Sequence, residues 1–199
     1  GTPSDETYRG ASAFSEPENQ GFRQFVNGRN FKTALNYHTY SNYLLYSWSY
    51  ADVPTPDASL FEEYAIDITR FNGYEWGQPP QILYTVNGCT DDWMYGEQQE
   101  KPKIISFTPE CGGDNDGFWP SQNRIFPIAQ ENLKPNLYIT WVAGEYVAMK
   151  NVVYNQQYFN PGDQNVEMNV TFANKGLSDA FNVTVKLIPV NQGITVVNS

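Results

Sequence analysis

The feature that most constrains the fold is a change of period near residue 150. Up to about Met149, short apolar runs of strand type alternate with segments of helical spacing. Beyond Lys150, apolar and polar residues alternate one by one. Strands separated by helices predict an α/β architecture, a mixed sheet with helices on both faces. The period-2 texture predicts antiparallel β structure with one solvated face. The chain is therefore expected to hold two domains, residues 1–149 and 150–199.

Local signals place the elements. Ser15 and Glu18 can form a capping box, Pro17 fits a first helical turn, and Gly28 suits a helix end. Phe22, Phe25 and Val26 share one face of that helix. Residues 31–37 and 43–46 read as strands. Residues 57–71 read as a helix, with Leu60, Tyr64, Ile68 and Phe71 at helical spacing. Residues 81–86 are expected to be a strand and Thr90 to Tyr95 a helical turn. Lys103 to Phe107 is a buried-type strand that delivers Pro109 and Glu110 at its end. From Ser121 a helical stretch is expected to reach about Met149, in spite of prolines at 120, 127 and 135. In the second domain, residues 151–154, 165–172 and 180–187 read as strands separated by turns at 160–163 and 174–176. Such strands suit a small antiparallel β-sandwich-like segment of immunoglobulin type. Three or four strands fall short of the roughly seven such a sandwich needs, so the module is expected to be partial. Asn169-Val-Thr171 and Asn182-Val-Thr184 match the glycosylation sequon, but half-polar strand positions account for both.

Bulk properties remove several functions. The net charge is −10, from 12 Lys+Arg against 22 Asp+Glu. A chain this acidic lacks the cations that displace counterions from nucleic-acid phosphates, and it is not drawn to anionic membranes. No run reaches the roughly 20 apolar residues of a spanning helix. The 40% hydrophobic content argues for a packed core. Gly1 reads as an expression remnant, so location cannot be taken from the start. The aromatic, Asn-rich, Lys-poor composition suits a secreted, periplasmic or cell-surface bacterial protein. Cys89 and Cys111 form either a disulfide across neighbouring strands or two free buried thiols.

Four ordered motifs carry the chemistry. Thr7-Tyr8-Arg9-Gly10 precedes Phe14-Ser15-Glu16-Pro17-Glu18. Asn36-Tyr37-His38-Thr39-Tyr40-Ser41 leads into Leu44-Leu45-Tyr46, and His38 is the chain's only histidine. Tyr84 is followed by Asn87-Gly88 and by Asp91-Asp92-Trp93-Met94-Tyr95-Gly96. Phe107-Thr108-Pro109-Glu110 is followed by Gly117-Phe118-Trp119-Pro120. Together they resemble the C-terminal half of a zinc carboxypeptidase of the carboxypeptidase A/B superfamily, over roughly the first 145 residues. The resemblance implies that His38 is the third zinc ligand, Glu110 the catalytic glutamate and Tyr84 the mobile catalytic tyrosine. It implies that Tyr40 and Asp91 contact substrate, with Asp91 at the floor of the pocket for the terminal side chain. Aspartate there favours Lys or Arg termini, although Asp91 can equally cap the following helical turn.

The chemistry suits these residue types. Zinc lowers the pKa of water, a carboxylate takes its proton, and a phenol donates to the substrate. The family's other two zinc ligands come as a His-x-x-Glu pair, and its carboxylate-binding arginines lie in the same upstream region. No such pair is present, because Ser41 stands three residues after the sole histidine. The chain is thus expected to be a fragment of the peptidase, inactive by itself and without bound zinc, although the complete protein would hold Zn2+. Peptides are the expected substrate partner, and exposed sheet edges predict self-association. The competing reading is an inactive peptidase-like binding or adhesion protein whose β module makes the contacts.

Overall fold

The computed structural model describes residues 2–158, 160, 162, 163 and 166–190. It divides into two compact units, Gly1–Ala143 and Gly144–Ser199.

The first unit opens with helix α1, Pro17–Asn27. Pro17 starts it, as its fixed φ allows, but the capping box does not form. Glu16 takes the N-cap position, and the Ser15 hydroxyl donates to the Glu16 carboxylate at 2.8 Å. Gly28 closes the helix by donating its backbone N–H to Gln24 at 3.1 Å. Strand β1, Thr33–Leu35, is shorter than the expected run, and β2 spans Tyr43–Tyr46 as its pattern predicts. Helix α2, Ala58–Thr69, buries Phe61, Tyr64, Ala65 and Ile68. Tyr64 and Ile68 belong to the stripe read in the sequence, but Leu60 is only half-buried and Phe71 lies exposed beyond the helix end, so the buried face turns to Phe61 and Ala65 instead.

The next element departs from expectation. The third strand is β3, Glu75–Gly77, and residues 81–86 form no strand. Pro79-Pro80 preset the backbone for the short helix α3, Pro79–Ile82, which ends at Leu83. Helix α4 spans Thr90–Gly96 and strand β4 spans Ile105–Glu110. The predicted long helix is two helices, α5, Gln122–Glu131, and α6, Leu133–Val142. Buried Asn132 breaks it, its side-chain amide donating to the Ile128 carbonyl at 2.9 Å and to the Tyr74 hydroxyl at 3.1 Å. Met149 lies not in a helix but in strand β5, Val147–Tyr154.

The four strands of the first unit run in the order β1-β4-β2-β3. β1 lies parallel to β4 and β2 parallel to β3, while β2 and β4 are antiparallel. The sheet is therefore mixed, as expected. Alternation along β4 divides its side chains between two sides. Phe107, fully buried, packs with Phe61 of α2 at 5.4 Å between ring centroids and with Tyr46 of β2 at 6.1 Å. Ser106 and Thr108 face α4 instead. There Met94 of α4 joins Ile104 and Val26 of α1 in a second buried cluster.

In the second unit, β5 pairs antiparallel with β6, Met168–Asn174, with an irregular register between Met149 and Asn151. Residues 180–187 form no strand, and Phe181, Val183, Val185 and Leu187 are exposed. The alternation there meets no ladder partner among the described residues. Asn165, the expected start of the second strand of this unit, and Pro161 of the expected turn lie outside the described residues, as does Gly1.

Candidate active site

The site is built at the end of β4. Ile-Ser-Phe-Thr-Pro-Glu places Ser106, Thr108 and Glu110 on one face. His38 lies in a parallel bridge beside Glu110. Its backbone N–H donates to Pro109 at 2.9 Å, and its carbonyl accepts from Cys111 at 2.8 Å. Both backbones are thus fixed before any side-chain contact is made. The His38 imidazole Nδ1 stands 3.9 Å from Glu110 Oε1. The histidine side chain is 64% exposed and the glutamate 11%, so the imidazole is available to a further partner while the carboxylate is enclosed. Burial pushes the Glu110 carboxyl above the usual range, and the neighbouring His38 partly opposes that shift.

Asp91 sits in the first turn of α4 and is buried under β4. Its Oδ1 accepts from the Asn36 amide and from the Ser106 hydroxyl. Its Oδ2 accepts from the Thr108 hydroxyl at 2.6 Å. The Asn36 amide also donates to Ser106 Oγ at 2.9 Å, which closes a triangle. Burial raises the Asp91 carboxyl above the usual range, and the three donors offset part of that. None of the described ion pairs includes Asp91. It does not cap α4 through its side chain. Asp92 has a different task, its two oxygens accepting the Ser49 backbone N–H at 2.9 and 3.1 Å. That bond ties the start of α4 to the loop after β2.

The remaining proposed residues are more dispersed. Tyr84 lies between α3 and α4 and is 66% exposed. Tyr40 meets Phe118 edge to face at 4.9 Å. Asp116 accepts Arg124 at 2.7 and 3.1 Å and a Gly113 N–H at 3.0 Å. Those bonds brace the turn between Glu110 and Phe118. Cys89 and Cys111 are both free thiols, and burial pushes both above the ordinary thiol range. Of the two readings of the cysteines, the structure has the unbonded one.

The structure therefore brings His38 to Glu110, and Asp91 to Thr108 two residues along the same strand. The sequence motifs include Asn36 and Thr108 without giving them a role, and Ser106 stands outside them. The signal available was the alternation Ser106-x-Thr108-x-Glu110 on a strand whose other face is apolar.

A family model described as zinc carboxypeptidase matches residues 1–135. Carboxypeptidase A1 of Rattus norvegicus is 31% identical over 149 residues, covering 71% of this chain and 33% of the relative. Carboxypeptidase B of Astacus astacus is 30% identical over 141 residues, covering 67% of this chain and 46% of the relative. The chain thus spans from about a third to about half the length of these curated relatives. Among solved structures, bovine thrombin-activatable fibrinolysis inhibitor, in complex with tick carboxypeptidase inhibitor, superposes with a TM-score of 0.59. It is 25% identical, over 66% of this chain and 47% of that one. Carboxypeptidase A from Helicoverpa armigera shares the fold, with a TM-score of 0.58 at 19% identity over 67% of this chain and 35% of that one.

Proposed function

The chain belongs to the zinc carboxypeptidase family, and from that premise we propose that it carries the base, one metal ligand and the terminal-side-chain pocket of a peptidase that removes basic C-terminal residues. The observation that supports this most is Glu110, an enclosed carboxylate at a strand end, 3.9 Å from the motif histidine. Such a carboxylate can take a proton from the attacking water and return it to the leaving amine. The backbone bridge to His38 fixes its position before substrate arrives.

His38 fits one zinc ligand, because its imidazole is largely exposed and its main chain is pinned. Zinc, when bound, acidifies water and polarises the scissile carbonyl. A catalytic site takes about three protein ligands. Among the described residues no group of three or more His, Cys, Asp or Glu could hold a metal ion. The other ligands are therefore assigned to a different part of the whole protein, as a His-x-x-Glu pair. This chain alone is expected neither to hold zinc tightly nor to hydrolyse peptides. Tyr84, exposed on its connection, can swing toward a substrate and donate its hydroxyl. Tyr40, beside Phe118, offers an aromatic wall for the peptide.

Asp91 is the selector in this reading. A buried carboxylate held by neutral donors alone gains from a cation and rejects an apolar side chain. Thr108 and Glu110 stand two residues apart on β4, roughly 7 Å by strand geometry. A lysine-length side chain spans that gap. A secreted or cell-surface location agrees with the composition, and the short edge strand β1 offers an edge for self-association.

Terminal-residue preference tests the assignment. The complete protein should release C-terminal Lys or Arg, and its Asp91→Ile variant should turn to apolar termini. If both forms prefer the same apolar terminus, Asp91 is no selector and the basic specificity is withdrawn.

A further inference from the structure

The donors around Asp91 carry a finer consequence, which rests on the reading of Asp91 as the pocket floor. An ionised carboxylate offers about four lone-pair sites, two on each oxygen. Both sites on Oδ1 are taken, one by the Asn36 amide and one by the Ser106 hydroxyl. The Asn36 amide is shared between Oδ1 and Ser106 Oγ, the latter at 2.9 Å, and Ser106 spends its only hydroxyl hydrogen on Asp91. Among the described residues, Oδ2 accepts one bond, from Thr108 at 2.6 Å. The open site is therefore on Oδ2, on the side of partly exposed Thr108, while Oδ1 faces fully buried Ser106.

Two cations compete for that opening. A guanidinium binds a carboxylate best through two parallel N–H bonds, one to each oxygen. Here the second oxygen is saturated, so the fork would have to displace Asn36 or Ser106 and leave a buried donor unsatisfied. An ammonium is a point charge that can use a single acceptor. We propose that Asn36 and Ser106 make this pocket select C-terminal lysine over C-terminal arginine.

The experiment compares kcat/KM of the complete zinc-loaded protein on peptides identical except for a terminal Lys, Arg or norleucine. The same series is run on the Asn36→Ala and Ser106→Ala variants. Lysine should lead arginine by about tenfold, the worth of one hydrogen bond in a specificity ratio. That ratio should fall at least threefold in either variant, since each frees a site on Oδ1. Arginine cleaved as well as lysine, or better, overturns the proposal and leaves Asp91 as a selector of basic residues. A lysine preference that both variants keep unchanged also overturns it. Norleucine cleaved better than either basic residue brings down the pocket reading itself. The wild-type ratio needs no variant, so a misfolded Asn36→Ala or Ser106→Ala protein leaves the test decisive.

Discussion

Thr108→Val isolates the bond on which the Asp91 environment depends. Valine keeps the shape and the strand preference but removes the 2.6 Å donor to Oδ2. A hydrogen bond to a charged group contributes about 1.5–3 kcal/mol, and the carboxylate here has no cation in compensation. The added methyl on a half-buried strand position offsets a few tenths of that. A net loss of about 2 kcal/mol is expected. With a urea slope of about 2 kcal/mol/M, the unfolding midpoint should fall by about 1 M. Tryptophan fluorescence is the suitable probe, because all five tryptophans precede Ala143 and so report the first unit. Linkage gives a second readout. The folded Asp91 pKa lies above its unfolded value, so its contribution to stability falls as pH rises from the unfolded toward the folded pKa. Thr108→Val should deepen that fall, since it removes a donor that favours the charged form. In an Asp91→Asn background the substitution should cost less than half as much. A midpoint shift below about 0.3 M, or the same shift in both backgrounds, would refute the charge-assisted bond.

Two further substitutions test the surrounding frame. Gly96→Ala would set a Cβ 2.8 and 2.9 Å from the Trp48 ring, which is already packed on Tyr95 and Tyr50. It should cost about 1–3 kcal/mol in urea melts and change the near-ultraviolet dichroism. Asp57 is held below the usual carboxylate range, chiefly by its hydrogen bond from Lys103. Its stabilisation is therefore present above the unfolded pKa of about 4 and lost as pH falls through the lower folded value. The stability gap between the parent chain and Asp57→Asn should be constant near neutrality and shrink in acid. A gap that stays open down to about pH 2 would count against that ion pair.

Legibility followed the kind of signal each segment carries. Strand β2 and helix α2 were plain in the sequence, because an unbroken apolar run and a stripe of helical spacing each admit one period, although Leu60 and Phe71 of that stripe stand outside the buried face. Strand β3 was hidden, since Glu75–Gly77 is too short for a pattern and its place follows from pairing with β2. The apolar residues of 81–86 imitated a strand, yet Pro79-Pro80 committed the chain to a helical turn. Asn132 ended α5 through side-chain bonds that no periodicity records. At the site, His38 and Glu110 drew notice because one is the sole histidine and the other a carboxylate ending an apolar run, and the structure places them 3.9 Å apart. Asn36, Ser106 and Thr108 are generic polar residues. Their role exists only because α4 docks on β4 and carries Asp91 beneath them, a long-range contact that the one-dimensional pattern does not contain.

The account rests most heavily on Glu110 as the proton-transferring group, and one measurement addresses that directly. Zinc content and steady-state peptide hydrolysis are determined together on the complete protein and on its Glu110→Gln variant. The amide keeps the shape of the carboxylate but cannot accept the proton, so the variant should retain its zinc and lose turnover by about 10²–10⁴-fold. A variant that keeps both its zinc and its turnover would contradict the account, and the base would have to be sought elsewhere.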